Sequence, residues 1–173
     1  VDGNGKVIAF SQKEKKILWS SAAASKSQDS YIGGGIAEDT EGKLYITNGS
    51  KFLTILNKMN GNEILRKEFP DIIRTQPVIL ANKIVIIQTV SNQVFAYNLS
   101  NSTLLWQHEG ISETLASEVR VSPVIYDDYV IIFYSSGQVV ALDTKNGQEK
   151  WRLELASSLD VSLPSFEPSS ASC

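Results

Sequence analysis

The sequence predicts an all-β fold, a β-propeller built of four-stranded antiparallel blades, and three observations predict it. A segment recurs along the chain: Gly5-Lys-Val-Ile-Ala-Phe10 leads to Ile17-Leu-Trp19, Asn92-Gln-Val-Phe-Ala-Tyr-Asn98 to Leu104-Leu-Trp106, and Gly137-Gln-Val-Val-Ala-Leu-Asp143 to Glu149-Lys-Trp151. In each copy the Ala precedes the Trp by 10 residues. A degenerate copy, Lys51-Phe-Leu-Thr-Ile-Leu-Asn57 to Ile64-Leu65, places the equivalent residues 19, 65, 106 and 151 at spacings of 46, 41 and 45. Periods in the forties belong to propeller blades or to helical arrays. The texture decides between them, because apolar residues alternate or form short β-branched blocks bounded by Gly, Asn, Asp and Ser.

Taken in order, residues 1–30 hold a partial first blade and a Ser/Ala/Lys connector, 31–70 a second blade, 71–115 a third and 116–155 a fourth, with 156–173 starting a further blade or forming a loose tail. Gln76-Pro-Val-Ile-Leu80 and Ser122-Pro-Val-Ile-Tyr126 read as innermost strands, with Pro at a strand start where no ladder donor is lost. Lys43 to Thr47, Lys83 to Gln88 and Tyr129 to Tyr134 read as the next strand of each unit. After Thr47, Asn48-Gly49 can take the positive φ of a tight turn. The following strand carries the Val-x-Ala alternation and ends in a second turn, where Asn60-Gly61 and Asn146-Gly147 supply the left-handed residue. A last strand holds the Trp, which is expected to pack against a neighbouring blade.

Composition narrows the function. With 42% hydrophobic residues a core can form, and 16 basic against 19 acidic side chains give a net charge of −3, no footprint for nucleic acid. No apolar run approaches the roughly 20 residues of a membrane helix. The single cysteine, Cys173, excludes an intrachain disulfide and a Cys-based metal site. Three Asn-x-Ser/Thr sequons, at Asn48, Asn98 and Asn101, carry little weight, two of them lying at turns.

The pattern Val-x-Ala-Leu-Asp-x-x-Asn-Gly-x-x-x-Trp at 139–151, echoed at 7–19 and 94–106, resembles the pyrroloquinoline-quinone-type propeller repeat. Gly33-Gly-Gly-Ile-Ala37 and Ala116-Ser-Glu-Val-Arg-Val-Ser-Pro-Val124 resemble segments of the BamB family, lipoprotein subunits of the outer-membrane β-barrel assembly machine. That resemblance implies an eight-bladed propeller at the periplasmic face of the bacterial outer membrane. It also implies a non-enzymatic scaffold that binds a BamA-like barrel subunit and helps deliver unfolded outer-membrane protein clients. The family's partner contacts correspond to Ile72, Ile73 and Arg74 in one inter-blade loop and to Glu118 and Arg120 in the next. Arg120 departs from the pattern, standing where the family has a second acid. An apolar residue beside an Arg is a combination common at interface hot spots. Self-contained readings compete: Arg74 could pair within its own loop, and Glu118 with Arg120 at strand spacing.

A catalytic propeller is the rival reading. His108 is the sole histidine, which leaves no His pair for a metal and makes an inter-blade or surface place the expectation. The adjacent cysteines under which quinone-dependent alcohol dehydrogenases commonly hold their cofactor have no counterpart. Asp127-Asp128, and Asp39 and Glu41 beside Gly42, are explained as turn residues, and Gly33-Gly34-Gly35 lacks the phosphate-loop spacing. The expectation is therefore no catalytic residue and no cofactor, the alternative being a part of a quinone-type enzyme or sensor propeller. Divided by a period near 44, the 173 residues give nearly four blades. Either the chain is a fragment, which a start inside a hairpin favours, or two copies pair as a homodimer to complete a ring.

Overall fold

The computed structural model of the chain describes residues 6–22, 34–73, 75–81, 83–111 and 121–155. Every element among them is a β-strand. β1 (Val7–Ser11) and β2 (Lys16–Ser21) form a two-stranded sheet. β3 (Gly35–Glu38), β4 (Lys43–Thr47), β5 (Phe52–Asn57) and β6 (Glu63–Glu68) form the first four-stranded sheet. β7 (Val78–Leu80), β8 (Ile84–Gln88), β9 (Gln93–Asn98) and β10 (Thr103–Glu109) form the second, and β11 (Val124–Tyr126), β12 (Tyr129–Phe133), β13 (Gln138–Asp143) and β14 (Glu149–Glu154) the third. All pairs within a sheet are antiparallel and sequential, so each sheet is an up-and-down blade.

The register repeats with the sequence. Ala9 faces Trp19, Ile55 faces Leu65, Ala96 faces Trp106 and Ala141 faces Trp151, and in each pair of strands the register slips by one residue next to these positions. Each strand offers alternate residues to the two faces, and the central strands are apolar on both because a blade lies on either side. Ile86, Ala96 and Trp106 on one face of the third blade pack with Val130, Ile132, Val140 and Leu142 of the fourth. On its other face, Val85, Ile87 and Phe95 pack with Tyr45, Leu53 and Ile55 of the second. Val7 and half-buried Trp19 of the first meet Ile46 and Leu56. Each such buried aliphatic side chain contributes roughly 1.5–3 kcal/mol, so the inter-blade seams hold the molecule together. The outer strands are polar by contrast, and β14 is exposed along its whole length.

Two ends of the blades result. At one lie the β5–β6, β9–β10 and β13–β14 turns, where Asn57, Asn98 and Asp143 accept backbone N–H bonds from the turns they open. At the other lie the β4–β5, β8–β9 and β12–β13 loops together with the inter-blade connections. The same bond recurs there three times: Phe69 N–H to Lys51 O at 2.8 Å, Gly110 N–H to Asn92 O at 2.9 Å and Leu155 N–H to Gly137 O at 3.0 Å. This connection end carries Ile72 and Ile73.

Candidate partner-binding site

The loop leaving β6 turns sharply at Asp71. Its carboxylate accepts the Ile72 N–H through Oδ1 at 2.7 Å and the Ser91 hydroxyl through Oδ2, so one acid ties this connection to the β8–β9 loop of the next blade. Ile72 O accepts the Val90 N–H at 2.9 Å, and Ile73 donates its N–H to Ser50 O at 2.9 Å and bridges Thr89. The connection is thus laced between two loops and presents a fixed backbone rather than a free tether.

Placement separates the predicted residues. Ile73 is fully buried among Phe69, Phe95, Val85 and Ile87. This corrects its expected part as an apolar anchor offered to a partner: the side chain fills the seam between the second and third blades, where its contacts are already made. Ile72 stays half-buried at the surface. Arg74, Glu118 and Arg120 lie outside the described residues, as does Cys173.

Three features of the same end were not legible as site residues. Asn92 adopts φ 61° and reaches across to the fourth blade, donating to Ser135 Oγ at 2.8 Å and to Ile111 O at 3.0 Å while its Oδ1 accepts the Ser135 N–H at 3.4 Å. Gln88, 1% exposed, donates to Phe133 O at 2.9 Å. Thr47 Oγ1 accepts the Gly35 N–H at 3.1 Å and donates to Thr75 O at 2.8 Å. The only sequence signal was the position of Asn92 at a strand start, where glycine stands in the fourth blade as Gly137. The Gly34-Gly35 segment has a packing cause here, since a Cβ on Gly34 would sit 2.2 Å from Thr47 O and one on Gly35 2.7 Å from the Gln76 Cβ.

The residues weighed for catalysis take structural places. Asp39 Oδ1 accepts the Glu41 and Lys43 N–H groups at 2.9 Å each and its Oδ2 accepts the Tyr45 hydroxyl at 3.0 Å, closing the β3–β4 turn. Burial, followed by that bond to Asp39, pushes the Tyr45 phenol well above its ordinary range. Asp127 takes φ 55° in the β11–β12 turn. His108 stands between blades, as expected, with Nδ1 2.7 Å from the Tyr134 hydroxyl and Nε2 3.7 Å from Glu149. Among the described residues no group of three or more His, Cys, Asp or Glu side chains could hold a metal ion, and no helix is long and apolar enough to cross a membrane.

Comparison with known proteins follows the same lines. An uncharacterized protein of Rickettsia conorii is 41% identical over the whole of this chain, which spans only 42% of that relative's length. The outer membrane protein assembly factor BamB of Taylorella asinigenitalis is 28% identical over 83 residues, 48% of this chain and 21% of its own. Among solved structures, BamB from Moraxella catarrhalis superposes with a TM-score of 0.65 at 23% identity, over 87% of this chain and 42% of that one. A quinohemoprotein alcohol dehydrogenase from Pseudomonas putida HK5 superposes with 0.57 at 15%, over 74% and 21%. The likenesses to solved structures establish the propeller fold, which BamB and a quinohemoprotein alcohol dehydrogenase share. The family model described as outer membrane protein assembly factor BamB matches residues 3–163, nearly the full chain, and the chain therefore belongs to the BamB family.

Proposed function

We propose that the protein is a non-enzymatic scaffold of outer-membrane protein assembly, acting at the periplasmic face of the outer membrane. In this reading the connection end of the blades binds the barrel subunit of the assembly machinery and helps pass unfolded outer-membrane proteins to it. Family membership carries the reading. The lacing of residues 71–73 to Ser50, Val90 and Ser91 supports it, because a loop fixed before binding loses little conformational entropy when a partner docks. Ile72 is half-buried at this end, the sequence sets Arg74 two residues after it, and Glu118 and Arg120 are the residues the family resemblance gives to the next connection.

A pull-down of the purified barrel subunit tests it. Wild type binds, Arg74→Ala and Ile72→Asp each weaken binding by about tenfold or more, equal to roughly 1.4 kcal/mol, and Lys150→Ala at the opposite end leaves it unchanged. No binding by a folded wild-type protein sinks the proposal. Titration with pyrroloquinoline quinone and calcium tests the enzyme alternative, and a spectral shift with alcohol oxidation would replace the scaffold reading.

A further inference from the structure

The repeat sets a serine at one position of three successive loops, five residues before the Ala position: Ser50, Ser91 and Ser136. The three are used differently. Ser50 stays within its own loop, its hydroxyl donating to Asn48 Oδ1 at 2.6 Å. The Ser136 hydroxyl is buried and has no hydrogen-bond partner among the described residues. Ser91 alone of the three donates to a carboxylate, that of Asp71 in the connection entering its blade. The next position departs from the repeat as well. It is exposed Lys51 in the second blade and Gly137 in the fourth, whereas in the third it is Asn92, 2% exposed. The Asn92 side-chain amide donates to Ile111 O at 3.0 Å and to Ser135 Oγ at 2.8 Å.

Three consecutive residues of the β8–β9 loop therefore hold two different connections. The Val90 N–H, 2.9 Å from Ile72 O, and the Ser91 hydroxyl hold the connection entering the third blade. Asn92 holds the start of the connection leaving it, together with the β12–β13 loop of the fourth blade. Breaking the Asn92 bonds strands a buried amide without partners, which keeps the second connection from moving independently of the loop. The repeat is thus broken at two adjacent residues, on the loop that lies between the two connections to which the family resemblance assigns partner contacts.

We propose that Ser91 and Asn92 are positioning residues that hold the connections on either side of the third blade in one arrangement, so that a partner meets both already placed. For the identity of the partner the inference rests on the barrel-binding reading; for the placement it rests on the hydrogen bonds alone. Placement before docking sets the fraction of binding-competent molecules and so enters the association rate, while contacts made after docking govern dissociation.

The test pairs amide hydrogen exchange of the free protein with binding kinetics on the purified barrel subunit, using Ser91→Ala combined with Asn92→Gly. Glycine adopts φ 61° without strain and stands at this position in the fourth blade, so the backbone path is kept. In the double variant the Val90 and Gly110 amides should exchange about tenfold faster or more, with the amides of β8 unchanged. Association should slow roughly fivefold or more while dissociation stays within about twofold. Ser91→Ala alone alters only an exposed residue, leaves the core untouched and should reproduce the Val90 change. Ser136→Ala, which removes the equivalent hydroxyl one blade on, should change neither exchange nor association. Unchanged exchange at Val90 and Gly110 overturns the proposal, and so does faster exchange with association unchanged. A folded wild type that does not bind the barrel subunit overturns the barrel-binding reading instead, and exchange in the free protein then decides the placement.

Discussion

Trp19 and Trp106 each lay an indole on a glycine of the next blade, and the repeat lets that contact be read against its own exception. Leu65 faces a turn ending in Ser102, where glycine is absent and the Tyr97 hydroxyl supplies the hydrogen bond an indole would have made. Leu65→Trp alone should cost about 1–3 kcal/mol, the usual range for an overpacked seam, since the new ring meets the Ser102 Cβ. Ser102→Gly alone should be near neutral, because glycine tolerates φ 55° without strain. Combined, the two should recover at least half of the loss, a coupling that urea unfolding of the double-mutant cycle measures. Strict additivity would show that the indole–glycine contact is not the unit of inter-blade packing.

Between elements, β10 and β14 meet through ionisable groups rather than apolar ones. His108 touches Tyr134 and faces Glu149, which Arg152 holds at 3.0 and 2.6 Å, with Glu109 beside it on its own strand. Burial lowers the His108 pKa below its ordinary 6.5, and Arg152 adds to that, while Glu149 and Glu109 oppose it. Burial also pushes the Tyr134 phenol up, so it stays a neutral hydroxyl. A base with a depressed folded pKa binds fewer protons folded than unfolded, so its contribution is complete above pH 6.5 and is lost as pH falls through the folded value. Wild type should therefore lose more thermal stability than His108→Gln between pH 7.5 and 5.5, measured by melting in matched buffers. Parallel curves would remove His108 as the cause. The bond to Glu149 also lies on the outer, wet side of the seam, where Arg152 keeps that carboxyl below its ordinary range.

At the scale of the molecule, stability comes from seams between neighbours, as in other repeat architectures. A side chain's worth then depends on whether its seam is occupied. Trp106, 6% exposed, is flanked by blades on both sides of its seam, so Trp106→Ala should cost about 3–5 kcal/mol. Trp151 holds the same repeat position at 45% exposure, so Trp151→Ala should cost less than about 1 kcal/mol in urea unfolding of this chain. Equal losses would mean that the repeat position, and not its neighbour, sets the energy. Among the described residues, Ile8, Phe10 and Leu18 of the first blade are exposed, as is Trp151 of the fourth.

The sequence by itself determined the strands, their order and the turn residues, because these rest on local chemistry: the period-2 alternation around Ala96 and Ala141, the left-handed Asn-Gly pairs, and the repeat that sets Trp 10 residues after Ala. It also pointed to the tryptophans packing between blades, which holds for Trp19 and Trp106 but not for the exposed Trp151 among the described residues, and left His108 open between an inter-blade and a surface place. Only the tertiary structure decided which inter-blade faces are sealed, since alternation says that a residue faces a neighbour without saying which one. That is why Ile73, read as an exposed anchor beside Arg74, proved to be core, packed by Phe69 and Phe95 from two different blades. The clamps made by Asp71, Asn92 and Gln88 were equally hidden, because their partners lie 20, 43 and 45 residues away and meet only when one blade is laid against the next.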